Sequence, residues 1–326
     1  MSVTSPPRPT AEAAPPQRRK PTAGIGGRIF SALAHGAGII ILVTLAAVAT
    51  FLVIEAWPAL TASPEELSEI SWFSGGSLLA YIGPLVFGTV LAALLALLIA
   101  VPVSVGIALF ISHYAPRRLA QGLGYLVDLL AAVPSVVFGL WGALWLAPVL
   151  DPFFRWLTSA LGFIPLFEGY QAPARNILTA GVVLAVMLLP IVTAVSREVF
   201  LQTPTLHEEA SLALGATRWE MIRQAVIPFG RSGVISAAML GLGRALGETM
   251  AVLMVISPGL LYSFFLLKPG QHQTIAANIA AQFPEASGLS VSVLIATGLA
   301  LFVITFAVNF AARAIVARRK DFSGAN

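Results

Sequence analysis

Six apolar runs of membrane length constrain this 326-residue chain more than any motif does. They cover about 29–57, 82–111, 119–150, 177–196, 233–256 and 289–312. A hydrocarbon core about 30 Å thick needs roughly 20 such residues in a helix. A spanning segment must satisfy its backbone polar groups internally, so each run is expected to be helical. Strands of a membrane barrel would alternate over about 10 residues, and these runs do not. Composition agrees: 57% of residues are hydrophobic and 10% charged, against about 25% charged in soluble domains. The expectation is an all-α polytopic membrane protein.

The basic residues set an expected orientation. Fifteen of the nineteen Lys and Arg residues fall in four segments. Five lie before the first run (Arg8, Arg18, Arg19, Lys20, Arg28) and two after the second (Arg117, Arg118). Four follow the fourth run (Arg197, Arg218, Arg223, Arg231) and four lie at the C-terminus (Arg313, Arg318, Arg319, Lys320). Positive charge stays on the cytoplasmic side, so six helices with both termini inside are expected. The net charge of +4 then reflects orientation, and no nucleic-acid partner is expected. Residues 1–27, rich in Pro, Ala and basic residues, read as a disordered cytoplasmic tail. Residues 28–318 read as the transmembrane domain and 319–326 as a cytoplasmic end. The first apolar run exceeds the 7–15 residues of a signal peptide, so it is expected to remain in the mature chain.

With no cysteine in the chain, disulfides, thiol nucleophiles and iron–sulfur ligation are excluded. The four histidines, His35, His113, His207 and His272, lie in separate segments, so no metal centre is expected. No GxxxxGK[ST] loop occurs, so any ATP must be bound and hydrolysed by another subunit.

Local signals punctuate the runs. Ser63-Pro64-Glu65-Glu66 is a capping-box pattern that should open a short helix. Trp57, Trp72, Phe73 and Tyr81 suit an interfacial aromatic belt. Pro84 and Pro102 imply kinks in the second span. The third span is expected to contain Asp128 and Pro134-Ser135. Asp128 is a candidate pathway residue, but it lies close behind Arg118, so a structural place near the headgroups stays open. Residues 151–176 and 257–288 read as outer loops, and the apolar piece 260–267 is too short to span.

The stretch 206–256 carries the sharpest signals. Its first half, inside a polar loop at 202–229, should form a short helix over 206–214, broken at Gly215. Thr217-Arg218-Trp219-Glu220 should cap a second short helix that Pro228 ends. This predicts either a knob that docks on a partner or an amphipathic loop resting on lipid. The second half places Arg244 and Glu248 four residues apart on one helix face. A charge at the bilayer centre costs about 2.5–3.5 kcal/mol on insertion scales. Such a pair either neutralises itself within the bundle or faces a polar path. Arg suits an oxyanion, because its planar fork donates two parallel hydrogen bonds. Glu248 would hold the Arg partly neutralised, or accept a hydrogen bond from a protonated oxyanion. Gly241, Gly243 and Gly247 read as helix-packing positions.

Two resemblances resolve part of this. Glu209-Ala210-Ser211, then Gly215, then Ile227-Pro228 resembles the EAA loop of ABC importer permeases, with Ser211 where Ala is usual. The run from Gly241 through Arg244, Gly247, Glu248 and Thr249 to Met250 resembles the fifth-helix motif of the PstC-type family of bacterial phosphate-specific ABC importers. The runs Ala131-Ala132-Val133-Pro134-Ser135 with Phe138-Gly139, and Ala213 through Trp219, resemble that family too, over residues of about 28 to 320. The resemblance implies a type I importer permease fold with no catalytic centre of its own. It implies a PstA-type sister permease, a PstB-type ATPase dimer, a PstS-type extracytoplasmic binding protein, and surrounding membrane lipid. It further implies Arg244, Glu248 and Thr249 along the substrate path, with Asp128 and Ser135 as secondary candidates. Glu208, Glu209, Ala210, Gly215 and Ala216 would form the ATPase-coupling surface. A permease for another oxyanion, or an ion-gradient transporter, is the alternative.

Overall fold

The structure, a computed structural model, describes residues 25–320. Most of the expected N-terminal tail and residues 321–326 lie outside the described residues. Residues 25–27, assigned to the tail by sequence, already belong to helix α1 (Ile25–Thr61). The chain divides into two compact units, Met1–Val48 and Ala49–Asn326. Within the first, the α1 side chains from Ile29 to Leu45 are largely exposed, as suits a helix that lipid surrounds.

Six helical stretches are long and apolar enough to cross a membrane: Ile29–Thr61, Leu78–Tyr114, Ser135–Leu161, Ile177–Leu201, Arg218–Leu246 and Leu289–Ala314. In the second unit, α2 (Pro64–Ser68) opens on Ser63 with both hydrogen bonds of the capping box. Helix α3 (Leu78–Leu109) runs through Pro84 and Pro102 and ends in a π-helical turn, Phe110–Tyr114. The centre of the bundle is α3 against α7 (Ile177–Leu201). Ala92, Ala93, Ala96 and Ala100 are buried against Leu184, Leu188 and Val192. Water drives no such contact within lipid; small side chains let the two backbones approach and gain dispersion. Ser104 adds an interhelical bond, its Oγ donating to the Leu189 carbonyl at 3.3 Å.

Two of the expected continuous spans are broken. The third is preceded by a separate helix, α4 (Arg117–Ala131). Ala132–Pro134 interrupts it, and the span proper is α5 (Ser135–Trp141), a π-helical turn, and α6 (Ala147–Leu161). The cause is Pro134, which disfavours helical backbone at the preceding residue and lacks a donor of its own. Asp128 therefore lies outside the third span. The fifth span, Arg218–Leu246, ends with α10 (Ile227–Leu246) and stops before α11 (Met250–Val255).

Pro228 does the reverse of what the sequence suggested. Helix α9 (Arg218–Met221) passes through a π-helical turn, Ile222–Val226, straight into α10. Pro228 sits in the first turn of α10, where a missing N–H is tolerated. The second half of the expected knob is thus the base of the fifth span.

Residues 257–288 are folded into the bundle. They include α12 (Ile275–Gln282), ahead of α13 (Leu289–Lys320), which passes through the 318/319 boundary. Thr89 Oγ1 of α3 accepts from the Ile275 N–H at 2.9 Å, and Asn278 Nδ2 donates to Tyr81 Oη at 2.8 Å. Tyr81 is buried, with the Trp72 and Phe73 rings tilted against it, so it belongs to the core and not to an interfacial belt. The 260–267 piece forms no helix: the Leu266 N–H bonds the Leu166 carbonyl at 2.8 Å, and Leu267 is fully buried.

Candidate functional site

The break in the fifth span sits at Gly247, Glu248 and Thr249. Gly247 is a poor helix former, and the two residues after it take backbone partners that a continuous helix would have used. Glu248 Oε1 accepts from the Ala251 N–H at 3.1 Å, and Thr249 Oγ1 donates to the Gly247 carbonyl at 3.2 Å. Side chains that compete for nearby backbone groups weaken a helix in this way. The segment after the break is clamped from both sides. Val255 and Ala251 are buried among Leu146, Ala180 and Val183. Gly139 of α5 lies so close that a Cβ there would stand 2.8 Å from the Ala251 Cα.

This geometry separates Arg244 from Glu248. The two do not share a helix face, and no ion pair joins them among the described residues. Glu248 is 8% exposed and bonded to the start of α11, so the expectation that it neutralises Arg244 is corrected. Arg244, on the last turn of α10, is half-buried. It has no hydrogen-bond or ion-pair partner among the described residues. The glycines divide as well. A Cβ on Gly241 would meet Val192 at 3.2 Å, which is helix packing, whereas one on Gly243 would meet nothing within 4 Å and Gly247 is exposed. Packing within this chain thus accounts for Gly241 alone. A Cβ beside Arg244 at Gly243 would meet nothing, and the guanidinium has no ion-pair partner among the described residues.

The second feature is α8 (Thr205–Ala213), which has no buried residue. It ends in a Schellman motif: the Ala216 N–H bonds the Ser211 carbonyl at 3.2 Å and the Gly215 N–H bonds that of Leu212 at 3.0 Å. Gly215 has φ +88°, a conformation that a side chain makes costly. Thr217 and Glu220 then form both bonds of a capping box that opens α9. Glu209, Ala210 and Gly215 are exposed, Ala216 is half-buried, and Leu206 and Leu214 stand 71% and 91% exposed beside them. Glu208 differs from its neighbours. Its Oε1 lies 3.4 Å from His113 Nε2 on the π-helical turn that ends α3. Ser211 reaches Gln224 in the π-helical turn below α10 at 3.5 Å. The helix is therefore tied to two spans by its inner face, while its outer face stays free. Sequence reading missed His113 and Gln224 because His113 and Glu208 lie 95 positions apart and neither spacing nor composition links them.

The secondary candidates are not drawn to the break. Asp128 is exposed on α4 and lines a cleft with Arg117 and Arg197. Ser135 is half-buried at the first turn of α5.

Comparison with known proteins gives these features a family. Residues 100–321 match the family model described as binding-protein-dependent transport system inner membrane component. The chain is 46% identical over 297 residues to phosphate transport system permease protein PstC 2 of Mycobacterium tuberculosis, covering 89% of this chain and 91% of the relative. It is 40% identical over 303 residues to a phosphate transport system permease protein PstC of Mesorhizobium japonicum, covering 91% and 92%. The matched residues include both the exposed α8 and the broken fifth span, and the chain belongs to the binding-protein-dependent transport system inner membrane components, among the PstC-type permeases.

Proposed function

We propose that this chain is the membrane permease subunit of an ATP-driven phosphate importer and forms half of the translocation path. Arg244 carries the reading. A guanidinium without a carboxylate partner, on a membrane helix beside two open glycine positions, is an electrostatic cost unless an anion repays it in passing. Phosphate fits, because its tetrahedral oxygens accept two parallel N–H bonds from the fork. Thr249, at the break, completes the wall of the path, with Glu248 behind it and its Oε1 held by the Ala251 N–H. The buried carboxylate there would accept a hydrogen bond from the O–H that phosphate keeps at neutral pH and sulfate lacks.

Energy enters from a separate ATPase dimer of the PstB type. Its nucleotide-driven closure pushes the exposed face of α8 around Glu209, Ala210, Gly215 and Ala216. Because α8 is tethered to the ends of α3 and α10, and α9 runs unbroken into α10, a push on α8 moves the helix that carries Arg244. A PstA-type sister permease supplies the other half of the path, and a PstS-type binding protein delivers phosphate outside. The protein lies in the inner membrane with both termini cytoplasmic.

Whole-cell uptake of labelled phosphate under competition tests the substrate. Excess unlabelled phosphate should suppress uptake and excess sulfate should leave it unchanged; suppression by sulfate alone would assign the path to another oxyanion.

A further inference from the structure

A second anion site is built into the chain away from the break in the fifth span. Between α4, the last turns of α7 and the π-helical turn Phe110–Tyr114 lies a cleft of about 400 Å³. Arg117, Gln121, Tyr125, Asp128 and Arg197 line it. Arg197 is mostly withdrawn from solvent, and its Nε is a buried donor with no hydrogen-bond partner. An unpaired buried donor on a charged group costs more than its hydrogen bond would contribute, so an acceptor reaching the Nε would be stabilised there. Asp128 lines the same cleft but makes no ion pair with either arginine among the described residues.

The cleft is shaped around that guanidinium. Its Nη1 lies over Gly124 of α4, where an added Cβ would overlap it; the missing side chain is what lets the arginine come this close to the helix. Arg117 stands exposed at the rim, Gln121 adds an amide, and Asp128 can accept from a ligand's own O–H or N–H. Outside the cleft, α4 leaves Leu126 and Leu129 exposed at 50% and 68%. Basic residues beside an uncovered apolar row are the pattern of a helix lying at a membrane surface.

The geometry points to a phosphate-group site in the α4–α7 cleft, with Arg197 and Arg117 gripping the phosphate oxygens and Asp128 accepting from a hydroxyl or ammonium on the same ligand. Two sources carry that chemistry, the headgroup of a phospholipid whose chains follow Leu126 and Leu129, and free inorganic phosphate. The inference stands apart from the transport reading, since none of these residues lies at the break.

The test uses the full chain carrying Arg244→Ala, so that the proposed path does not contribute. Binding of labelled inorganic phosphate is measured in neutral detergent, with and without added phosphatidylglycerol. Direct binding of the lipid is followed by native mass spectrometry. One saturable site is expected, weakened about tenfold or more by Arg197→Gln and by Gly124→Ala, which keeps the charge but displaces it. Lipid binding that phosphate does not reproduce assigns the site to a headgroup; phosphate binding that lipid does not disturb assigns it to the free anion. Arg117→Gln, at an exposed rim position that folding does not depend on, should weaken either ligand several-fold. Binding of neither probe, or binding indifferent to all three substitutions, overturns the proposal.

Discussion

Adding one methyl group at each of two glycines should have opposite effects. Gly139 of α5 faces the start of α11; a Cβ there would stand 2.8 Å from the Ala251 Cα, 3.1 Å from Met254 Sδ and 3.3 Å from the Met250 carbonyl oxygen. Ordinary contact begins near 3.4 Å, so α5 and α11 must separate by about 0.6 Å, and the nearest obstacle is backbone that no rotamer change removes. Overpacking of this kind costs about 1–3 kcal/mol. Gly243 is also helical but meets nothing within 4 Å. Gly243→Ala should therefore recover the helix-propensity penalty of glycine, up to about 0.5–1 kcal/mol. Thermal unfolding of the purified full chain in one detergent, wild type beside both variants, reads the difference. Gly139→Ala should lower the midpoint by several degrees, and Gly243→Ala should leave it unchanged or raise it slightly. Equal midpoints for the two variants would refute the close approach that holds α11 behind the break.

Two further outcomes follow from named residues. Gly215→Val forces a β-branched side chain into φ +88°, at a cost of at least about 1–2 kcal/mol. It should abolish the stimulation of a reconstituted ATPase partner while leaving the six-helix bundle folded by circular dichroism; full stimulation would remove α8 from the coupling path. Burial pushes the His272 imidazole below its usual range, and its Nε2–H donates to the Ser263 carbonyl at 2.6 Å. The unfolded chain then takes up a proton near pH 6.5 before the folded one does. This histidine's contribution is complete above about pH 6.5 and is lost as pH falls below it. The unfolding midpoint should drop between pH 7.5 and 5.5, and the drop should shrink in His272→Gln; an identical slope in the variant would contradict the assignment.

What was legible in the sequence was what short-range chemistry decides. Both capping boxes, at Ser63 and Thr217, form as their spacing implied, because each needs only four consecutive residues. The left-handed turn at Gly215 is local in the same sense. The six spans were legible because lipid imposes their length and composition. The breaks within them were not, since apolar residues continue through 132–134, and the few polar residues around Gly247 lie inside a run of membrane length. Pro134 and Pro228 carry the same local signal, yet one ends a helix and the other lies within a continuous helical stretch, just after the π-helical turn Ile222–Val226. Pairings far apart in the chain were invisible, among them His113 with Glu208, Thr89 with Ile275, and Tyr81 with Asn278. For that reason 257–288 read as an outer loop, although His272, Gln273, Thr274 and Asn278 within it are buried and Asn278 bonds Tyr81 of α3.

Transport through this chain rests most on Arg244 serving an anion and not the packing of its own bundle. The direct measurement is uptake of labelled phosphate by the complete transporter reconstituted with Arg244→Ala, with co-purification of the other subunits as the check on assembly. Intact assembly with uptake at background is predicted, with partial recovery in Arg244→Lys, which keeps the charge and loses the fork. Intact assembly with uptake within about twofold of wild type, well short of the loss that removing a charged hydrogen-bond donor should produce, would contradict the account.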